Sequence, residues 1–590
     1  MLKIFLHYLK PYFWQAVLLV VLIGAQAFAT IELPTLMAEI VENGIEKNNM
    51  DFVFATSAKM LAFTLFGSVC AVASGLLSAR IGTAFSRDLR LDLFEKILTF
   101  STDEIDKFST ASLITRTTND VSHLQETAMM CLSMLLRAPL MCVGAVVAAI
   151  RLAPNMTWII VLGVVAILVG VAVVLGLALP KFKLFQKMID KITLLTRENL
   201  TGLRVIRAFN NEKVEERKFD SGNRELLHLD VSIGRIFSVE SPLISLVMNG
   251  ICLLCIWIGV SLAEADASYI ATMMAFMQYA MHVIMSVLIL TVVLVMIPRA
   301  SVSAGRVNEI LRHTPKIKWK KETNREDETK TPEVEFKNVS FCYPNAPENI
   351  LTDISFRARV GETVAFVGST GSGKSTLVNL IPRFFDATAG EILVDGINVK
   401  DYKKEDLMQK IGYVAQKGVL FSGTVRSNIE FGSGALEKSA LDKVANLSQS
   451  AEFIEKLPKG FASPIAQGGT NVSGGQKQRL SIARALAKNP EILIFDDSFS
   501  ALDMKTDKKL RKALEPEKPK IITLVVAQRI STVKDADQIL VLENGKVVGH
   551  GKHYHLLKTS KVYREIVASQ FSEKEFESEL KIAEKEGSHA

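Results

Sequence analysis

Cysteine is scarce in this sequence: 590 residues hold six, Cys70, Cys131, Cys142, Cys252, Cys255 and Cys342. All but Cys342 lie inside apolar runs, where no oxidising loop would pair them, so a disulfide framework is not expected. Cys252 and Cys255 form a C-x-x-C, but within ICLLCIWIGV, with no second ligand pair and no βαβ context. They read as packing residues rather than as a redox or metal site. A continuous basic stripe is also missing. The formal net charge is +7, yet Lys and Arg sit beside long apolar stretches, which argues against a nucleic-acid partner and for topology signals. The first apolar stretch has no clear small-residue cleavage site and further spans follow it, so it is not read as a cleaved signal.

What the chain has in quantity is apolar surface. It is 49% hydrophobic with a mean hydropathy of +0.24, too long for one ordinary domain and too apolar for a wholly soluble protein. Apolar stretches run from about Phe13 to Pro34, Ala58 to Ala79, Met129 to Ile150, Met156 to Leu179, Ser241 to Ala263 and Tyr269 to Ile297. Each is near the ~20 residues that a helix needs to cross the hydrocarbon core. A multi-pass membrane domain of about six helices follows, with the lipid bilayer as its solvent.

Orientation follows from the basic residues. Lys3 and Lys10 precede the first span, Arg80, Arg87, Arg90, Lys96, Lys107 and Arg116 lie between the second and third, and Lys181, Lys183, Lys187, Lys191, Arg197, Arg204 and Arg207 lie between the fourth and fifth. The opposite loops carry Glu39, Glu42, Glu46, Asp51, Glu264 and Asp266 against Lys47 alone. Both termini are therefore expected on the cytoplasmic side of the cell membrane. The two long basic connections show helical spacing of apolar residues, as in FSRDLRLDLFEKILTF. They predict membrane helices that continue beyond the bilayer, with tips near Thr102 to Ser109 and Leu200 to Phe209 placed to touch a soluble domain.

Within the spans, Glu32, Lys59, Arg137 and Arg151 are ionisable. Such groups either face a bundle interior or watery cavity, for which Glu32 is the best candidate, or snorkel to a span end. Met273, Met274, Met277, Met281 and Met285 on the last span would suit varied apolar ligands, but helix packing is the simpler reading. After Arg299 a helix SVSAGRVNEILRH is expected, then a charged, Pro-punctuated linker. Beyond it VEFKNVSFCY, GETVAFVG, EILIFDD and ITLVVAQR are short β-rich runs separated by helical segments, the pattern of a largely parallel sheet with flanking helices. The charged stretch FSEKEFESELKIAEKEG reads as a solvated terminal helix.

The most specific motif is Gly368, Ser369, Thr370, Gly371, Ser372, Gly373, Lys374 and Ser375, which follows the strand TVAFV and opens the helix beginning at Thr376. Its glycines let backbone N–H groups wrap phosphates, Lys374 reaches the terminal phosphates, and the Ser375 hydroxyl suits Mg²⁺. A second strand, ILIF, ends in Asp496, the acidic residue that a P-loop fold uses to hold Mg²⁺ beside Ser375. Together they predict binding of ATP or GTP.

At this point NVSGGQKQRLSIARAL, Asn471 to Leu486, resembles the signature motif of ABC transporters, directly upstream of the Asp496 strand as in that family. The resemblance covers the whole chain. It implies a half-transporter of the exporter type: an all-α six-helix transmembrane domain fused to an α/β P-loop (RecA-like) nucleotide-binding domain with a helical subdomain. The expected division is 1–312 transmembrane, 313–333 linker, 334–570 nucleotide-binding and 571–590 charged tail. By the same resemblance, Tyr343 in FCYP stacks on adenine, Gln416 in YVAQ is the Q-loop glutamine near the metal, and Ser500 to Asp503 form the D-loop. Val472, Ser473, Gly474, Gly475 and Gln476, where a helix begins, form an anion site. In the family that site serves the ATP held on the opposing subunit's P-loop, so a lone chain completes neither sandwich and a dimer is implied.

Two departures bear on mechanism. The family usually has Glu after the Mg²⁺ aspartate; here Asp497 stands there, one methylene shorter, and an error near 1 Å costs about 10²-fold. It usually has His in the following switch; VVAQRIST has Gln528, which hydrogen-bonds a phosphate but carries no charge. With a nearly complete VSGGQ, the pattern resembles the degenerate-site subunit of bacterial heterodimeric multidrug exporters. This implies ATP and Mg²⁺ as cofactors, a second half-transporter as partner and a small amphipathic or lipophilic substrate. Gln467, where Glu is usual, has no assigned consequence. A homodimeric lipid or peptide exporter with attenuated ATPase is the alternative, although no peptidase domain precedes the first span. A channel-like ABC protein would bring an added regulatory segment, which is not visible, and a soluble ABC ATPase is at odds with the spans.

Overall fold

The computed structural model describes residues 2–263, 269–323, 332–344 and 346–586. Glu264 and Asp266 of the acidic loop, residues 324–331 of the linker and residues 587–590 of the tail lie outside the described residues. The chain divides into two compact units, Met1–Leu98 with Thr110–His313, and Thr99–Ser109 with Thr314–Ala590.

In the first unit, six helical stretches are long and apolar enough to cross a membrane: Ile4–Ile45, Met50–Leu98, Thr110–Leu152, Pro154–Thr201, Glu212–Val260 and Tyr269–Arg312. The second has 49 residues, roughly 70 Å at 1.5 Å per residue, against about 30 Å of hydrocarbon core. The helices therefore outrun the bilayer, as the amphipathic connections predict. The last helix likewise runs without a break through Pro298 to Arg312, so SVSAGRVNEILRH continues it rather than forming a separate element.

Apolar side chains explain how these helices sit in lipid. Leu61, Leu65, Val69, Val72 and Leu76 recur at helical spacing on the second helix and are exposed, as a lipid-facing stripe requires. Facing inward, Ala145, Ala149, Ile159, Ile160, Phe276, Ala280 and Ile284 form a buried cluster, the alanines allowing close backbone approach. At the basic end, Arg116 Nη1 bonds Glu309 at 2.7 Å and the Arg306 carbonyl at 3.0 Å, while Ser303 donates to Asp120 at 2.7 Å. These bonds join the third and sixth helices.

Among the ionisable span residues, Glu32 is half-buried, whereas Lys59, Arg137 and Arg151 are exposed. Beside Glu32, the buried Tyr279 hydroxyl donates to the Ile31 carbonyl at 2.9 Å and pairs with Thr35 at 2.6 Å. Met273, Met274, Met277 and Met281 are half-buried and Met285 is exposed, and Met277 packs against the helix-bundle core. The six cysteines are free thiols.

The second unit is an α/β domain with two main sheets. A four-stranded antiparallel sheet contains Glu333–Phe341, Leu351–Arg359, Ala389–Val394 and Ile397–Asn398. The six-stranded sheet runs in the spatial order Lys546–Gly551, Gln538–Glu543, Thr363–Gly368, Ile522–Val526, Ile492–Asp496 and Ile411–Val414. Its neighbours pair in parallel except for the antiparallel first pair. Val364 to Val367 are all buried, so this strand reads as a continuous apolar run covered on both faces.

The first expected tip and the charged terminal stretch both form helices, as the sequence suggests, and both make contacts within the second unit. The short helix Thr102–Phe108, the first expected tip, groups with the soluble unit: Glu104 closes a capping box with Ser101 and accepts the Lys316 backbone N–H at 3.0 Å. The second tip, Leu200 to Phe209, groups with the membrane unit. The terminal helix Glu573–Glu586 is not simply solvated. Ala583 is buried in the domain core and Glu579 pairs with Lys534 at 2.5 Å, so one face of this charged helix packs.

Candidate functional site

Four adjacent parallel strands end at the same edge of the six-stranded sheet, and their carboxyl ends assemble the site. Val526 lies opposite both Phe366 and Asp496, and Val414 lies opposite Phe495. The loop after Thr363–Gly368, the switch after Ile522–Val526, the acidic pair at the end of Ile492–Asp496 and Gln416 after Ile411–Val414 therefore stand side by side. Open parallel sheets bind ligands at this edge.

The Gly368 to Ser375 loop keeps its shape because two positions exclude a side chain. Gly373 has φ +95°, and a Cβ there would sit 2.7 Å from Leu351 Cδ2 and 3.0 Å from the Ile350 carbonyl. At Gly368, φ +153°, a Cβ would meet the Leu542 carbonyl at 2.2 Å. Ser369, Thr370 and Gly371 form the exposed rim, while Ser372, Gly373 and Lys374 are buried. The Lys374 ammonium donates to the carbonyls of Gly368 at 2.9 Å and Ser369 at 2.7 Å and to Ser372 Oγ at 3.3 Å. Burial pulls its pKa down, opposed by the nearby Asp497 and Asp496 carboxylates.

Ser375 Oγ donates to Asp496 Oδ1 at 2.6 Å, and Tyr413 donates to Asp496 Oδ2 at 3.2 Å. Burial raises the Asp496 pKa against these two hydrogen bonds and Lys374. Hard oxygen donors of this kind suit Mg²⁺, which takes one or two protein oxygens and completes its shell with water and phosphate. The residues present fit that ion. Among the described residues no group of three or more His, Cys, Asp or Glu side chains forms a dedicated metal cage.

Asp497 is the meeting point. Its backbone is left-handed, φ +48°, a conformation Asp tolerates better than most residues. The turn is held by Asp497 N–H to the Val526 carbonyl at 3.0 Å and by Ser500 Oγ to the Asp497 carbonyl at 2.7 Å. In this turn the side chain is almost completely buried, and its Oδ2 accepts Nε2 of Gln416 at 3.1 Å and Nε2 of Gln528 at 2.9 Å. Burial raises its pKa, the Gln416 bond opposes this, and Asp496 adds to the rise.

Tyr343 is half-buried among aromatics, edge-on to Phe341 at 4.9 Å and to Phe385 at 5.2 Å, with its hydroxyl 3.0 Å from Thr376 Oγ1. The signature residues stand apart from this cluster in their hydrogen bonding. Ser473 caps Gly474–Ala487 in a reciprocal box with Gln476, with bonds of 2.9 and 3.3 Å, and Val472 packs on the core. Ser473 and Gly474 are exposed at the helix start. Asp503 caps the next helix, Met504–Leu514, by accepting Thr506 N–H at 2.9 Å.

Sequence reading missed two residues. Tyr413, three positions before Gln416, was hidden because an aromatic in a strand ordinarily reads as core; it supports Asp496. Gln570 lies about forty residues beyond the switch, at the end of the expected nucleotide-binding domain and outside any motif, yet it bonds the switch backbone.

Comparison with known proteins agrees with this geometry. The family profile described as ABC transporter transmembrane region matches residues 16–287, and that described as ABC transporter matches residues 351–500. An uncharacterized ABC transporter ATP-binding protein of Mycobacterium tuberculosis is 38% identical over 573 residues, 97% of this chain and 98% of that protein. An ATP-dependent lipid A-core flippase of Syntrophus aciditrophicus is 34% identical over 521 residues, 85% of this chain and 83% of that one. The solved structure of a bacterial Atm1-family ABC exporter with ATP bound shares the fold, with TM-score 0.76 at 22% identity, covering 96% of this chain and 99% of that chain.

Proposed function

The chain belongs to the ABC transporter family, as a half-transporter of exporter architecture, and from that premise we propose that it is the degenerate-site half of a heterodimeric exporter. ATP-driven transport across a membrane is the family's activity. The finer reading is that this chain's own P-loop holds ATP tightly and hydrolyses it slowly, while Ser473, Gly474 and Gly475 complete the partner's working site.

The observation that carries the reading is the state of Asp497. A general base must reach an attacking water and keep a lone pair free for its proton. The Asp497 side chain is one methylene shorter than the usual Glu, which shortens its reach, and Gln416 and Gln528 both bond Oδ2 and fix the carboxylate's orientation, leaving Oδ1 for a water. Gln528, unlike an imidazolium, brings no positive charge to a terminal phosphate. Both features weaken hydrolysis while leaving binding intact.

Binding is assigned to residues with complete patterns. Tyr343 stacks on adenine, the loop from Gly368 to Thr376 wraps the phosphates, and Lys374 turns from its loop carbonyls to the terminal phosphates. Ser375, Asp496 and Gln416 would hold Mg²⁺, whose contribution is to neutralise phosphate charge. Asp503 borders the face between the two nucleotide domains. The basic connections favour a cell-membrane location with both termini and the nucleotide-binding domain in the cytoplasm. Binding of ATP closes the two nucleotide domains, and the helical extensions turn closure into outward opening.

The substrate is read as an amphipathic or lipophilic compound. A homodimeric lipid or peptide exporter with attenuated ATPase is the second reading, favoured on the lipid side by the likeness to the lipid A-core flippase. The test is ATPase activity of the purified chain alone and co-expressed with a second half-transporter, with and without a lipophilic dye. Slow turnover alone and dye-stimulated turnover only in the pair support the heterodimer. A lone chain that dimerises and shows stimulated turnover overturns it.

A further inference from the structure

The switch that carries Gln528 is a short crossing between the strand Ile522–Val526 and the helix Ile530–Val533. Its backbone groups have to find partners outside both elements. Ala527 N–H reaches the Phe366 carbonyl at 3.3 Å. Two further groups are satisfied by one side chain: Gln570 Nε2 donates to the Gln528 carbonyl at 2.7 Å, and Gln570 Oε1 accepts the Ile530 N–H at 2.9 Å. A carboxamide that donates to one peptide group and accepts from another fixes the orientation of both. One of those planes, the 528–529 peptide, adjoins Gln528 Cα, so holding it constrains the side chain whose amide reaches Asp497 at 2.9 Å.

The fork is itself held from behind. Gln570 follows the helix Lys561–Ala568, and its own N–H bonds the Val567 carbonyl at 3.0 Å. Immediately after it, Ser572 and Glu575 bond each other at the start of Glu573–Glu586, at 2.7 Å between side chains. From that helix Glu579 reaches Lys534, one residue past the switch helix, at 2.5 Å, and lies 3.4 Å from the buried His553. The terminal segment therefore grips the switch at two points, near residues 528 to 530 and at residue 534.

We propose that Gln570 is a positioning residue for Gln528: by bonding the Gln528 carbonyl and the Ile530 N–H, it aims the Gln528 amide at the terminal phosphate of ATP. The inference rests on the reading that Gln528 faces that phosphate. Gln570 touches no nucleotide itself. Its consequence is discrimination, because only ATP has the phosphate at which Gln528 is aimed.

The experiment measures ATP and ADP affinities of the full-length chain, by calorimetry with Mg²⁺, for the unsubstituted protein, Gln528→Ala, Gln570→Met and the double variant. Loss of one hydrogen bond to a charged phosphate lowers the ATP-over-ADP preference about tenfold. Gln528→Ala and Gln570→Met are each expected to show that loss with ADP affinity unchanged, and the double variant no more than either, since both remove the same contact. Gln570→Glu keeps an acceptor for Ile530 N–H while losing the donor to Gln528, and is expected to lower the preference in a chain that still folds. The inference is overturned if Gln570→Met and Gln570→Glu leave the preference intact while Gln528→Ala lowers it. It is equally overturned if they weaken ADP and ATP alike, the mark of a purely structural role. No change in Gln528→Ala itself would remove the underlying reading of Gln528, and the inference with it.

Discussion

Gln528 donates its side-chain amide to Asp497 across 2.9 Å, joining the ends of two neighbouring parallel strands. The same carboxylate oxygen accepts Gln416 from a third strand. The two departures that bear on mechanism are thus in direct contact, and one oxygen of the Asp497 carboxylate is held by two neutral amides. This pairing makes the two substitutions one feature rather than two, and it gives the site a measurable electrostatic signature.

Asp497 is almost completely buried, and burial raises its pKa, with Asp496 adding to the rise against the Gln416 bond. A carboxyl raised on folding favours the protonated folded form, so ionisation costs stability as pH rises through the raised value. Asp497→Asn, which keeps an acceptor for both glutamines and tolerates φ +48°, should raise the thermal midpoint of the nucleotide-free chain at pH 7.5 by about 2 °C. The gain should shrink as pH falls through the raised value, and it vanishes below the ordinary carboxylate range, where the group is neutral in both states. Scanning calorimetry across that range checks the sign, and a destabilised variant at neutral pH would contradict it.

Lys374 is satisfied by loop oxygens at 2.7 to 3.3 Å, and burial lowers its pKa. Lys374→Met should weaken ATP binding about 30-fold or more, the worth of a charged hydrogen bond to phosphate. Because the loop's shape is set by its glycines rather than by the ammonium, the variant should keep its secondary structure by circular dichroism.

Ser473 caps its helix and faces no residue of its own chain's P-loop cluster in its hydrogen bonding. Ser473→Ala should cost about 1 kcal/mol of local stability as a lost cap, leave this chain's own ATP affinity unchanged, and sharply reduce turnover in the pair. Ser473→Thr, which restores the cap oxygen, should recover much of that turnover. Equal loss of this chain's ATP binding would place the signature in the wrong site.

Much of this was legible in the sequence because the signals were local. The P-loop glycines, the apolar strand ending in Asp496 and the six apolar stretches each depend on neighbours within one element, and hydropathy period and turn chemistry report on those directly. Span ends were less legible. The helices run past the bilayer into polar sequence, so Met50–Leu98 and Tyr269–Arg312 extend well beyond their apolar cores. The packed face of the terminal helix is less legible for a related reason: its charges dominate its composition, while Glu579 and Ala583, which pack, recur only at helical spacing. Gln570 left no sequence signal, since its partners are backbone groups far away in the chain, and any residue type can supply those.

The most direct test of the central claim is which nucleotide stays on which chain during turnover. The pair is photolabelled with an azido-adenine ATP carrying its radiolabel on the α-phosphate, and the nucleotide recovered from each chain is analysed. The account predicts triphosphate on this chain and diphosphate on the partner, with turnover of the pair nearly unchanged by Asp497→Asn. Diphosphate on this chain, together with a fall in turnover of about 100-fold in Asp497→Asn, the size expected for loss of a general base, would contradict it and make Asp497 and Gln528 a working catalytic pair.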